Sequence, residues 1–447
     1  MKLNTKIFLK TTGHMFRIKI ILISVLFWCC CMNTVSAQTE ILNDAVKNVT
    51  KAIVYDVFSA PAASRIYAYS TIAAYEVMQM GIEEYHSFEN DINQFPSLPT
   101  PENDMEINYE LAGIYALYYT AKSFLFSEET ILFHITALRI RYAFLESEKV
   151  NRDSELYGKL VAEKIISWSE SDGFTHIRSL PRYALIEKEG SWTPTPPDYA
   201  DASEPYWGKL RTFVLDSATA VKPQACLVFS IDSNSLFYRN ALDVYKIGNQ
   251  LTEEQKMIAL FWDDNPFTTK YIGHMQYAEK KFSPAGHWLD ITRVAIELSK
   301  TDIIKAAQIY AVVSMTNADA FISCWAEKYT SNLLRPETYI NKYIDAQWKP
   351  FLQTPPFPEY TSGHSTISSA SATILTYYFG SGFVFTDSSE TIYDLPPRTF
   401  GSFAWAANEA SISRVYGGIH FKKSVEQGSN QGYDIGVHTL LILFKKD

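Results

Sequence analysis

Pro355-Pro356-Phe357-Pro358-Glu359-Tyr360-Thr361-Ser362-Gly363-His364 runs through three prolines to a glycine and a histidine, and the residues after it, Ser365–Phe379, have the composition of a helix. A helix starting there turns unpaired N–H groups and a partial positive charge toward Ser362-Gly363-His364, a ready seat for an oxyanion. Gly363 lets the backbone approach a ligand closely, and His364 can give or take a proton. Upstream stand Lys328 and Arg335-Pro336. The two cations are seven residues apart, so a continuing helix points both the same way, and Pro336 ends that helix by forcing Arg335 out of the α region. Downstream, Arg414 lies near a helix end and Gly417-Gly418 turns the chain so that His420 comes back. A guanidinium is a planar fork of donors suited to a tetraoxo anion. Taken singly, each segment has a plain explanation: a solvated basic helix end, an ordinary cap, a structural histidine.

Outward from this region the chain is all-α. Helical periodicity or composition predicts helices over 62–80, 107–126, 130–147 and 155–171, then 287–299, 301–330, 402–414 and 423–444. Thr252 and Gln255 form a capping box for a helix that reaches Trp262. Alternation of the strand type is scarce, and there is no evident repeat. The one interruption is 180–225, where Trp192-Thr193-Pro194-Thr195-Pro196-Pro197 excludes a helix. Its aromatic residues, Trp192, Tyr199, Tyr206, Trp207 and Phe213, predict an ordered crossing rather than a flexible linker. The chain therefore divides into 38–225 and 226–447. The second part carries the three segments above.

Residues 1–37 have the grammar of a secretory signal: five cations and no acid, an apolar run from Ile18 to Cys31, and Val35-Ser36-Ala37 before Gln38. That run is short of the ~20 apolar residues of a membrane span. A periplasmic or secreted protein follows. Cleavage removes three of the five cysteines, leaving Cys226 and Cys324, too few for a disulfide scaffold. It also takes the five cations and moves the formal charge from −9 to −14. So acidic a surface argues against nucleic acid or an anionic membrane as partner.

Taken jointly, Lys-x6-Arg-Pro, Ser-Gly-His and Ser-Arg-x3-Gly-x-His, in this order, resemble the signature of the vanadium haloperoxidase and type-2 phosphatidic acid phosphatase superfamily. Thr361 departs from it, since many members carry proline there. The resemblance implies two packed helical bundles with the anion site in the second. It implies that Lys328, Arg335, Ser362, Gly363 (through its N–H) and Arg414 hold the oxygens of vanadate or phosphate, with phosphate a competitor. His420 is then the axial ligand of vanadium, or the nucleophile of a phosphatase. His364 is the acid–base group, and Lys328 polarises bound peroxide. Trp325 and Phe357 stand where chloroperoxidase-like members flank the halide. With Pro284-Ala285-Gly286-His287-Trp288, they make the chain most similar to bacterial vanadium iodoperoxidases, whose substrates are hydrogen peroxide and halide. Asp263 or Asp264 is expected to pair with Arg414, and His287 is either a neighbour of the site or a structural donor. The alternatives left open are a phosphomonoesterase acting through His420 and a secreted oxyanion-binding protein without turnover.

Overall fold

The computed structural model describes residues 38–266, 269–272, 275–278 and 280–445, so the leader falls outside the described residues. A first helix, α1 (38–55), buries Ile41, Leu42, Ala45, Val46, Val49, Ala52 and Ile53, a stripe at helical spacing. Two helices form the centre. α2 (Ala60–Met78) is buried on every side from Pro61 to Met78, and α10 (Ile303–Ser331) is buried over most of its first 23 residues. They lie against each other, and α2 also carries α3 (Tyr109–Lys122). α4 (Glu128–Tyr142), α5 (Glu148–Glu170) and the short α6 (Phe174–Arg178) complete the first half. The charges inside this all-round apolar packing are compensated. Arg65 bonds Asp172 at 2.6 Å, and Glu76 accepts from Ser87 and from the Phe88 N–H.

The crossing segment is ordered, as its composition predicts. Trp192, Trp207 and Phe213 are buried, although Tyr199 is exposed. The N–H groups of Phe213, Val214 and Leu215 all donate to the Asp319 carboxylate on α10, at 2.6–2.8 Å. Burial lifts the Asp319 pKa to about 6, against the pull of those three donors. The second half contains α7 (Leu236–Gly248), α8 (Glu253–Phe261), α9 (Pro284–Ser299), α11 (Pro336–Tyr343), α12 (Gly363–Phe379), α13 (Phe403–Tyr416) and α14 (Lys422–Leu443). The capping box of α8 is formed by Thr252 and Gln255 in both directions. Two antiparallel hairpins, β1 (Thr269–Ile272) with β2 (Met275–Ala278) and β3 (Phe385–Asp387) with β4 (Arg398–Phe400), add strands the sequence did not announce. No helix among the described residues is long and apolar enough to cross a membrane.

α12 is the element that fixes the functional region. It lies among α10, α13 and α14. Its contact with α14 is close because Gly428, Gly432 and Gly436 recur every fourth residue. A Cβ on Gly432 would fall 2.0 Å from the Thr366 carbonyl oxygen, and one on Gly428 2.7 Å from that of Ser362. Helix α14 is thus seated directly behind the start of α12.

Candidate active site

The helix of Lys328 does not continue to Arg335. α10 stops at Ser331, and Asn332 takes a left-handed conformation while its N–H caps the Lys328 carbonyl at 2.8 Å. Pro336 opens α11 as its first residue, with Arg335 extended at the cap. The local rule about the residue before proline holds, yet the proline begins a helix instead of ending one. Ser362 is the N-cap of α12, and Gly363, not Ser365, is its first residue. The Gly363 N–H therefore sits in the first turn, where the helix itself provides no partner. Arg414 is in the last turn of α13. The following turn, with Gly418 at φ 76°, returns His420 to the same place. Those chain reversals bring together residues up to 92 positions apart.

Lys328, Arg335, Ser362, Arg414 and His420 are all buried, with 2% exposure or less. Trp325, Phe357, Gly363, His364, Arg414 and His420 wall a cavity of about 30 Å³, together with Asp263 and Asp264. That is room for a group of a few atoms. Lys328, Arg335 and Ser362 lie behind this wall. The guanidinium of Arg335 bonds the carbonyls of Phe357 (2.8 Å) and Ile419 (2.9 Å) and approaches His420 Nε2 at 3.1 Å, while its buried Nη2 has no partner. His364 Nε2 is likewise buried and without a partner. The Trp325 and Phe357 rings meet at 4.9 Å. Phe357 also covers both Lys328 (5.1 Å) and Arg335 (4.9 Å), so it is part of the cation cluster as well as of the cavity wall.

Lys328 differs from the expected picture. Its ammonium donates to three backbone carbonyls, those of Pro358 (3.0 Å), Glu359 (3.1 Å) and Thr361. An ammonium has three donors, so here Lys328 supplies charge and holds the 358–361 loop, with no N–H left over. Arg414 also departs from expectation. Its fork is held by the carbonyls of Ala259 (3.3 Å) and Trp262 and by Ser413 Oγ (2.9 Å). Asp263 instead bonds Lys281 at 3.2 Å and Asp264 bonds His287 at 3.0 Å, and both act on Arg414 through their charge.

Burial lowers the pKa of Arg335 and of Arg414 to about 10 and lowers that of Lys328 as well. Both His364 and His420 are pushed well below the ordinary imidazole range, first by burial and then by the surrounding cations. Three buried cations and two neutral imidazoles around one small cavity form a site built for an anion.

Two groups escaped the sequence reading. Glu359 is fully buried, and its carboxylate accepts from His420 Nδ1 (2.8 Å), the Phe421 N–H (2.9 Å) and Ser424 Oγ. It stood unassigned inside the proline-rich run, and no spacing rule links it to a histidine 61 positions away. His287 is buried between Asp264, Asp387 (2.7 Å) and Ser389 (2.9 Å), stacked on Trp262 at 4.6 Å. Burial opposes its charge, but Asp264 and Asp387 outweigh that and raise its pKa well above the usual value. Asp264, His287 and Glu390 bring possible ligand atoms within 4.8 Å. Both ring nitrogens of His287 already face carboxylates, so it acts as a cationic strut rather than as an open ligand. Cys226 and Cys324 are both free thiols.

A family model described as the second helical-bundle domain of VCPO matches residues 308–444, the span that holds this site. The crystal structure of the first bacterial vanadium-dependent iodoperoxidase superposes with a TM-score of 0.86 and 41% sequence identity, over 91% of this chain and 98% of that one. The chain belongs to the vanadium-dependent haloperoxidase family. The holo and apo crystal structures of a bacterial vanadium-dependent chloroperoxidase share the fold at a TM-score of 0.63 and 14% identity. They cover 86% and 85% of this chain and 92% and 93% of their own. No curated protein sequence matches the chain.

Proposed function

We propose that this family member is an enzyme that binds vanadate and oxidises halide with hydrogen peroxide, iodide best, bromide less well. The observation that carries the proposal is the meeting of Arg414, His420 and His364, whose Nε2 has no partner, at one small cavity, with the buried cations Lys328 and Arg335 behind its wall. The residues fit an oxyanion of vanadate's kind. Arg335 Nη2 is a buried donor without a partner, Gly363 N–H and Ser362 stand at a helix N-terminus, and His420 offers a neutral nitrogen. Arg335, Arg414, Ser362 and Gly363 would hold its oxygens, His420 its metal, and Lys328 would add charge from behind. Vanadate, when bound, supplies a redox-neutral Lewis acid that makes peroxide oxygen electrophilic.

The net reaction joins halide, peroxide and one proton to give hypohalous acid and water. Two electrons pass from the halide to the O–O bond, which breaks. One oxygen leaves with the halogen, and the other leaves as water. Nε2 of His364 takes a proton from entering peroxide and returns it to the departing oxygen. Fixed cations stabilise negative charge in a dry cavity without reorganising. Trp325 and Phe357 border the halide and keep water out.

The phosphomonoesterase and oxyanion-storage readings share the cradle, but nothing in the site favours them, and storage has no use for the open nitrogen of His364. We also propose cleavage of 1–37 and export to the periplasm or beyond, and membership of the wider phosphatidic acid phosphatase type-2 superfamily, from the leader and the motif spacing alone. The test of activity is purified protein loaded with orthovanadate and assayed with peroxide against iodide, bromide and chloride. Iodide turnover is expected, and efficient chloride oxidation would reject the halide assignment.

A further inference from the structure

We infer that Glu359 is the positioning residue that holds His420 with its proton on Nδ1 and the Nε2 lone pair facing the anion. The inference rests on the proposal that His420 is the ligand of the anion. Two independent neighbours demand the same tautomer. On one side Nδ1 lies 2.8 Å from Glu359 Oε1, an oxygen that already takes the Phe421 N–H and in the ionised carboxylate only accepts. On the other side Nε2 lies 3.1 Å from Arg335 Nη1, a group that only donates, so Nε2 must carry the lone pair.

The carboxylate itself is immobilised. The same oxygen that meets Nδ1 takes the N–H of Phe421, the residue after the histidine, and the other oxygen takes Ser424 Oγ in the first turn of α14. The backbone of Glu359 is tied in turn, its N–H to the Leu333 carbonyl at 2.9 Å and its own carbonyl to Lys328. One side chain therefore joins the loop before α12, the end of α10 and the start of α14 around a single imidazole. A ring turned by half a revolution would put a C–H against the carboxylate and lose that bond. Such a carboxylate–imidazole pair orients the ligand and raises its basicity, and losing it typically weakens metal affinity 10- to 100-fold.

The test uses the full mature chain, with orthovanadate binding measured by equilibrium dialysis and elemental analysis. Glu359→Ala is expected to weaken vanadate binding by about 10- to 100-fold. Glu359→Gln, whose amide oxygen still accepts the Nδ1 proton, is expected to stay within a few-fold of wild type, which also covers a Glu359→Ala protein that fails to fold. In the unaltered protein, ¹⁵N-edited NMR of the imidazoles is expected to show His420 protonated at Nδ1 and bare at Nε2. Wild-type affinity in Glu359→Ala, beside lost binding in His420→Ala, would overturn the role of Glu359 alone. A proton found on Nε2 would do the same. Retained binding in His420→Ala would instead bring down the ligand assignment, and this inference with it.

Discussion

Replacing Lys328 by methionine tests whether this buried ammonium is a loop anchor as well as a charge. Methionine keeps much of the apolar stem but removes all three N–H donors, leaving the carbonyls of Pro358, Glu359 and Thr361 without them. Lys328 is wholly buried, so water does not replace what is lost. A buried carbonyl left without its donor costs about 1–3 kcal/mol, and release of the buried ammonium, whose pKa burial already lowers, offsets part of the sum over three. A net loss of about 2–5 kcal/mol is expected. Urea unfolding followed by tryptophan fluorescence gives the midpoint and slope. A lower midpoint with the slope retained is predicted, along with weaker vanadate binding. A variant as stable as wild type that loses only vanadate affinity would refute the anchoring role and return Lys328 to the simpler part of an anion donor.

His364→Ala is expected to leave vanadate bound but to slow turnover by roughly 100- to 10,000-fold, as measured by steady-state iodide oxidation. Wild-type rates across the pH range would move the proton role elsewhere. Trp325→Phe is expected to change halide rate or preference with little change in vanadate affinity. Phe357→Ala is expected to change both, because its ring also lies on Lys328 and Arg335; the reverse pattern would exchange the two assignments. His287→Gln is expected to destabilise the fold most from acidic to neutral pH. The folded pKa of His287 is raised, so its stabilisation is complete below the unfolded value of about 6.5 and disappears as pH rises through the higher folded value. Denaturation midpoints that differ equally at all pH values would show that the charge of His287 is not what holds the strut.

Much of this architecture could be read from particular residues. Long helices announced themselves through apolar spacing, and the start of α8 through Thr252 and Gln255. The crossing segment was legible from its prolines and tryptophans. What failed was what depends on a partner far away in the chain. Pro336 was read as a terminator because nothing local says that Asn332 has already ended the helix in a left-handed turn. The apolar stripe of α1, next to residues 1–37, was not read as a helix. Joint spacing picked out residues that the structure brings together, but it is a signal of type and order that carries no directions. It did not reveal that Lys328 faces carbonyls, that Arg414 rests on Ala259 and Trp262, or that Glu359 meets His420. Those contacts depend on how α10, α12 and α14 are packed, set partly by the glycine spacing at the α12–α14 contact.

The central claim, that this cradle holds vanadate for peroxide chemistry, is tested most directly by titrating vanadium-free protein with orthovanadate while following peroxide-dependent iodide oxidation. Activity is expected to rise from zero to saturation at one vanadium per chain. Excess phosphate is expected to lower it competitively, because the cradle recognises a tetrahedral anion and phosphate cannot activate peroxide. Phosphomonoester hydrolysis by the vanadium-free protein, inhibited by vanadate and accompanied by no iodide oxidation at any loading, would contradict the account.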